Sequence, residues 1–386
     1  MSLSAVAPTG PLQGMRVVEL AGAGPSAFAG MMLADLGADV IRVERPGGIH
    51  TAVAGRHDLV GRGRRSVVVD LKHPEGVGVV LDLVGSADIL IEGYRPGVAE
   101  KLGLGPDACL KRNPRLVYGR ITGWGRGGPL SESAGHDINF MSITGTLDAI
   151  GAHDGPPVVP LNLVGELGGG AMYLVTGVLA ALVEAGRSGR GQVIDAAIVD
   201  GVNHLMTSIW SLRHAGLWNH ERGTNVLDGS APYYGVYKTS DDRYMSVGAF
   251  EPPFYAALLD GLELTGWAPD RNDRAQWPAL RECLAERFAS KTQQEWRDVF
   301  DGTDACVAPV LTMYEAATHP HNIARGTFIA HRGAIQPSPS PRFSGTPAGT
   351  TRDPEDAGSS TREALEAWGI TDVDRLISRS AVTQLD

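Results

Sequence analysis

Lysine, cysteine and long apolar runs are scarce in this chain, and each shortage excludes something. Of 34 basic residues only five are lysines, and the basic set faces 44 acidic side chains, for a net charge of −10. A general binder of nucleic acid or of anionic membranes needs a basic surface to release counterions, so neither partner is expected. Cys109, Cys283 and Cys306 stand far apart, with no CxxC and no Cys/His spacing suited to zinc. Neither a disulfide framework nor a zinc centre is therefore expected, and a cytoplasmic, reducing setting fits best. The 11 histidines form no HExxH, and no metal is expected. The opening MSLSAVAPTGPLQGMRVVEL has no positive stretch ahead of an apolar core, so a secretory signal is not expected. The uncharged run Leu167–Val183 is 17 residues long and glycine-rich, short of the roughly 18–20 apolar residues that cross a bilayer. No membrane span is expected.

What is present describes a globular protein. Apolar residues make up 43% and charged ones 20% of 386 positions, enough to bury a full core in two domains or one elaborated domain. The run Met15–Leu20, the amphipathic stretch after it and ADVIRVE form a βαβ unit in about 30 residues. Strand-like runs follow at Ser66–Leu71, Ala87–Gly93 and Arg115–Ile121, and the alternation predicts an α/β fold with a parallel sheet. After a Gly-headed helix, GQVIDAAIVDGVNHLMTSIW predicts a short strand and a long apolar helix. APYYGVYKTSDDRYMSVGAF then alternates around SDD, as an antiparallel hairpin of a smaller α+β domain does. Ile335–Gly349 is rich in Pro, Ser and Gly and predicts an extended linker before a helical end.

The first βα turn reads Gly22-Ala-Gly24-Pro-Ser-Ala27, with Glu44 closing the second strand. That satisfies GxGxxA with a ribose acceptor, or else it is a tight turn that needs small residues. Pro25 removes a backbone donor where a phosphate wants one, and Arg45 adjoins Glu44; both weigh toward the turn. In AGHDIN, His136 follows a glycine and heads an apolar stretch, as a helix cap, a core residue or a catalytic base would. Glu166 opens the uncharged run just before Gly168, Gly169 and Gly170. It is a membrane flank, an acidic helix cap or a carboxylate placed for chemistry. Glycines are costly in a first helical turn, so their presence suggests backbone N–H groups left open to a developing oxyanion.

Together these stretches resemble the α-methylacyl-CoA racemases of the family III CoA-transferase superfamily over nearly the whole chain. The supporting segments are Leu12–Leu20, MLADLGADVIRVERP, ADILIEGYRPGV, LVYGRITGWGRGGP, AGHDIN, VPLNLVG, GQVIDAAIVDG and VGAFEPPFY. The resemblance implies a Rossmann-like large domain over residues 1–205 completed by 335–386, a linker helix region over 206–225, a small α+β domain over 226–320 and a return linker over 321–334. It also implies a homodimer of interlocked chains. The substrate would be an acyl-CoA thioester, with no separate cofactor. His136 and Glu166 would exchange the C2 proton from opposite faces through an enolate, where the family carries Asp in place of Glu166. Glu251 would orient or tune His136, and Asn162 and Asp137 would support them by hydrogen bonding. For coenzyme A, Arg45, Lys72 and Arg95 are the phosphate candidates, and Val69, Leu71 and Tyr94 would flank the nucleotide. Two rivals remain: a CoA-transferase whose Glu166 attacks the thioester to form an anhydride, and an impaired acyl-CoA-binding homologue.

Overall fold

The structure, a computed structural model, describes residues 9–48, 53, 55–331, 334–349 and 352–385, so the first eight residues lie outside it. The chain divides into two units. The first takes the described residues up to Thr144, Pro160–Met206 and those from Gln336 on.

Its elements begin with β1 (Arg16–Leu20), α1 (Pro25–Asp35), β2 (Asp39–Glu44), β3 (Arg64–Val69), α2 (Gly76–Gly85), β4 (Ile89–Glu92), α3 (Val98–Lys101), α4 (Pro106–Arg112), β5 (Val117–Thr122) and α5 (Asp137–Ile143). A π-helix (Leu163–Ala171) runs into α6 (Met172–Ser188), followed by β6 (Val193–Ala197) and α7 (Ile198–Leu205). The strands lie parallel in the order β3-β2-β1-β4-β5-β6. This is a doubly wound order whose switch point falls between β1 and β4. Side chains alternate across the sheet with period two: Val17 joins the core under α1 and α6, and Val18 the core under α2 and α4.

β3 starts two residues earlier than its apolar run, because Arg64 and Arg65 are buried with partners. Arg64 pairs with Glu19 at 2.5 Å, both almost fully buried, and Arg65 with Asp39 at 2.5 Å. Charge neutralised in this way is tolerated inside a sheet, and a hydropathy reading passes over it.

The helix from Leu163 to Ser188 is 26 residues long, with a mean hydropathy of 1.6 over its most apolar window. By length and composition it could cross a bilayer, a test that the core helix of a globular fold also passes, and 39% of that window is buried inside the protein. One face packs into the core through Leu174, Val175, Val178, Ala181 and Ala185.

The second unit comprises Gly145–Val159 and Thr207–Ile335, and so includes a stretch the sequence reading assigned to the large domain. The expected long helix after β6 is broken at Met206, so α7 is followed by α8 (Thr207–His214). Then come β7 (Tyr234–Lys238), β8 (Tyr244–Gly248), α9 (Pro252–Gly261), α10 (Trp277–Phe288), α11 (Gln293–Phe300), β9 (Val307–Pro309), α12 (Met313–Thr318), α13 (Pro320–Arg325) and β10 (Phe328–His331). β7 and β8 form the expected hairpin around SDD, and β9 adds to β8, both pairings antiparallel. Phe288 and Trp296 centre this core, with the Trp296 indole N–H donating to the Phe288 carbonyl at 2.8 Å. β11 (Ala334–Pro337), α14 (Thr361–Ala367), α15 (Val373–Ser378) and β12 (Val382–Thr383) follow, and β12 pairs antiparallel with the outer edge of β3.

Candidate functional site

His136 is the N-cap of α5, with extended backbone and an exposed side chain, and its N–H donates to the Asn139 side chain at 3.1 Å. The turn before it is fixed by packing. A Cβ on Gly135 would lie 2.8 Å from Phe140 and Trp124 atoms, and those two rings meet edge to face with centroids 4.7 Å apart. Asp137, next in the chain, is buried, and its Oδ1 accepts the backbone N–H of Glu166 at 2.6 Å. Its Oδ2 is buried without a hydrogen-bond partner.

Glu166 lies in the first half of the π-helix, half-buried. Asn162, the residue before that helix, points its amide at Glu166 Oε2 from 3.4 Å. Leu161 before it has φ +58°, a conformation that a branched side chain adopts only when its surroundings hold it there. The carboxylate lies beside the N-cap of α1: a Cβ on Gly24 would be 3.3 Å from Oε2. His136, Asp137, Asn162 and Glu166 thus belong to two segments joined by the Asp137–Glu166 bond.

The expectation for Gly168–Gly170 is corrected. In a π-helix each N–H serves the carbonyl five residues back, so from Gly168 onward these groups are spent inside the helix. The glycines serve packing instead. A Cβ on Gly169 would meet Val202 at 2.5 Å, one on Gly170 would meet Ile198 at 3.0 Å, and one on Gly201 of α7 would sit 1.8 Å from the Gly169 carbonyl.

The coenzyme A candidates Arg45, Lys72 and Arg95 follow the carboxyl ends of β2, β3 and β4, with β1 between β2 and β4, the edge of the sheet where doubly wound folds bind ligands. Arg45 is exposed after β2, its Nε donating to the Gly48 carbonyl at 2.9 Å. Lys72 and Arg95 are exposed after β3 and β4. The Tyr94 N–H donates to Glu92 at 2.7 Å, and burial, with the nearby Glu92 charge, raises the Tyr94 hydroxyl pKa while Arg45 opposes it. Leu71 packs partly on the core. Val69 is fully buried in that core, which corrects its place beside a nucleotide: its side chain has no surface to offer.

Glu44 is buried and accepts the Ser66 hydroxyl at 2.7 Å, so the ribose acceptor of a dinucleotide motif is already engaged. Sequence reasoning missed the buried Glu92–Arg120 pair at 2.9 Å, which Arg120 extends to Glu100 at 2.7 Å. Burial pushes the Glu92 carboxyl up, against the pull of the Tyr94 N–H and Arg120. The alternation of GlyArg in a strand carries no signal for such a pair.

Glu251 lies in the second unit, exposed, as the N-cap of α9. The peptides before it are held by Arg271, which donates to the Ala249 and Phe250 carbonyls at 3.1 Å each and stacks over Tyr233 and Tyr255. Among the described residues no three His, Cys, Asp or Glu side chains gather as a metal site would require.

Residues 12–361 match the profile of CoA-transferase family III. The chain is similar to the alpha-methylacyl-CoA racemase of Mus musculus, 46% identical over 93% of this chain and 94% of that protein. It is likewise similar to the alpha-methylacyl-CoA racemase of Homo sapiens, 44% identical over the same shares. Among solved structures, a CAIB/BAIF family protein from Brucella suis matches with a TM-score of 0.79 and 26% identity, covering 93% of this chain and all of that one.

Proposed function

Because the chain belongs to CoA-transferase family III, we propose that it is an α-methylacyl-CoA racemase, which interconverts (2R)- and (2S)-2-methylacyl-CoA thioesters. The C2 proton of a thioester is weakly acidic, so the enzyme must supply a base and stabilise the enolate as it forms. His136 and Glu166 are the two proton-transfer groups: one removes the C2 proton and the other returns one to the opposite face. Two such groups give inversion, and coenzyme A enters as part of the substrate rather than as a cofactor.

The observation that carries this reading is the 2.6 Å bond from the Glu166 N–H to Asp137, which fixes the carboxylate-bearing segment against the residue that follows the imidazole. Asp137 and Asn162 support the pair, and Glu251 is a supporting carboxylate of the reaction. Arg45, Lys72 and Arg95 take the phosphates of coenzyme A, with Tyr94 and Leu71 beside the nucleotide. The protein acts as a homodimer. Support for that comes from α8, none of whose residues is buried and whose Trp210 is 52% exposed; equilibrium sedimentation tests it. The free cysteines fit a cytoplasmic location.

The deciding experiment incubates each epimer of a 2-methylacyl-CoA with enzyme in D₂O. Deuterium at C2 together with epimerisation supports the racemase. Neither deuterium nor epimerisation, combined with a hydroxylamine-sensitive acyl adduct on Glu166, would instead assign transferase chemistry.

A further inference from the structure

The glycine-rich first βα turn resembles a phosphate cradle, yet what faces it is the chain's own carboxylate. A Cβ built on Gly24 would lie 3.3 Å from Glu166 Oε2, 3.5 Å from Cδ and 3.6 Å from Oε1. All three carboxyl atoms therefore border the space a side chain at position 24 would take, and Oε2 stands close enough that it would have to give by a few tenths of an ångström. We propose that this turn is the seat of the Glu166 carboxylate, and that Gly24 is a positioning residue for it. The inference rests on the racemase reading and gives the turn a part in that site.

Both sides of the contact are rigid. Gly24 has φ +67° and ψ −125°, a conformation natural only to glycine, and this turns its bare face to Glu166. Pro25 packs along the π-helix, 3.5 Å from where a Cβ on Gly170 would be. Ser26 is wedged between Gly22 and Gly93, whose Cβ atoms would lie 2.7 and 2.9 Å from its hydroxyl. Arg64, paired with Glu19, donates to the Ala27 carbonyl at 3.1 Å and ties down the first turn of α1. On the other side the Glu166 backbone is held by Asp137. A methyl group at position 24 is then absorbed by rotation of the carboxylate rather than by the backbone. The N-terminal end of a helix favours negative charge, so the seat is electrostatically suited to a carboxylate. A pyrophosphate placed there would meet like charge instead.

The test is a double-mutant cycle read by C2 deuterium exchange on a 2-methylacyl-CoA, with kcat and KM separated. Gly24→Ala is expected to lower kcat about 10-fold, since misplacement near 1 Å costs about 100-fold, and to leave KM within about two-fold. Placed on Glu166→Asp, whose side chain is one methylene shorter, the same substitution is expected to cost under about two-fold, because the space is vacant. The positive-φ strain lowers Tm equally in both backgrounds, so unequal kcat effects are not a stability effect. Multiplicative losses, or a loss confined to KM, would overturn the seat. Full exchange in Glu166→Gln would instead overturn the role of Glu166 itself. Should the alanine variant fold poorly, the same cycle is read at a lower temperature, where more of the variant is folded, with the same outcomes.

Discussion

Asp137 accepts the backbone N–H of Glu166 at 2.6 Å across 29 residues of sequence. A buried carboxylate is thereby used to aim another residue, and its second oxygen remains without a hydrogen-bond partner. The segments that carry His136 and Glu166 are thus joined by this bond.

Asp137→Ala removes that bond and leaves the Glu166 N–H wanting. We expect a stability loss of about 1–3 kcal/mol, measured by urea denaturation. C2 exchange should fall at least as far as Glu166 drifts, about 10- to 100-fold. Exchange at the wild-type rate would show that the bond does not position the site.

Glu166→Gln keeps the shape and removes the titratable group. One acid–base partner contributes about 10²- to 10⁴-fold, so kcat for epimerisation should fall by that factor with KM little changed. A loss under about three-fold would remove Glu166 from proton transfer.

Acid stability of the second unit should depend on Glu315. The Thr312 N–H and hydroxyl, and then Arg243, hold its carboxyl down to about 2, from an ordinary 4.5. The folded state therefore binds this proton less readily than the unfolded chain. Its contribution is complete above the unfolded value and is lost as pH falls from about 4.5 toward 2. Glu315→Gln should flatten that part of the unfolding curve followed by circular dichroism, while an unchanged acid limb would refute the assignment.

Gly201→Ala tests the close approach of α7 to the π-helix. The added Cβ would lie 1.8 Å from the Gly169 carbonyl, a backbone atom that cannot swing aside. Overpacking usually costs about 1–3 kcal/mol, and more where nothing yields. We expect a fall in Tm of several degrees in a thermal scan, and a wild-type Tm would mean that the helices separate freely.

The strands of the large sheet were readable wherever both faces are apolar, as in β1, β2 and β4, whose hydrophobic residues serve the cores on the two sides. β3 was misplaced by two residues because Arg64 and Arg65 are buried beside carboxylates that lie far from them in sequence. The β7–β8 hairpin declared itself through SDD. Residues 163–171 did not declare a π-helix, since glycines that suggest open N–H groups equally suggest packing against Val202 and Ile198, and only the three-dimensional partners decide between them. The site followed the same rule. His136 and Glu166 stood out as residue types out of place, whereas the value of Gly24 lies in what it lacks and becomes visible only once Glu166 is beside it.

The antiparallel pairing of β12 with β3 has a consequence in time. β3 is made early, yet Val69 finds its neighbour Val382 about 300 residues later. The Ser66 N–H likewise waits for the Glu355 carboxylate, and the Val68 N–H for the Thr361 hydroxyl. At about 5–20 residues per second, a ribosome leaves that edge of the sheet bare for roughly 15–60 s while the second unit emerges. During this interval an unpaired strand edge is exposed to other chains, and the large unit is completed only after the smaller one has been synthesised.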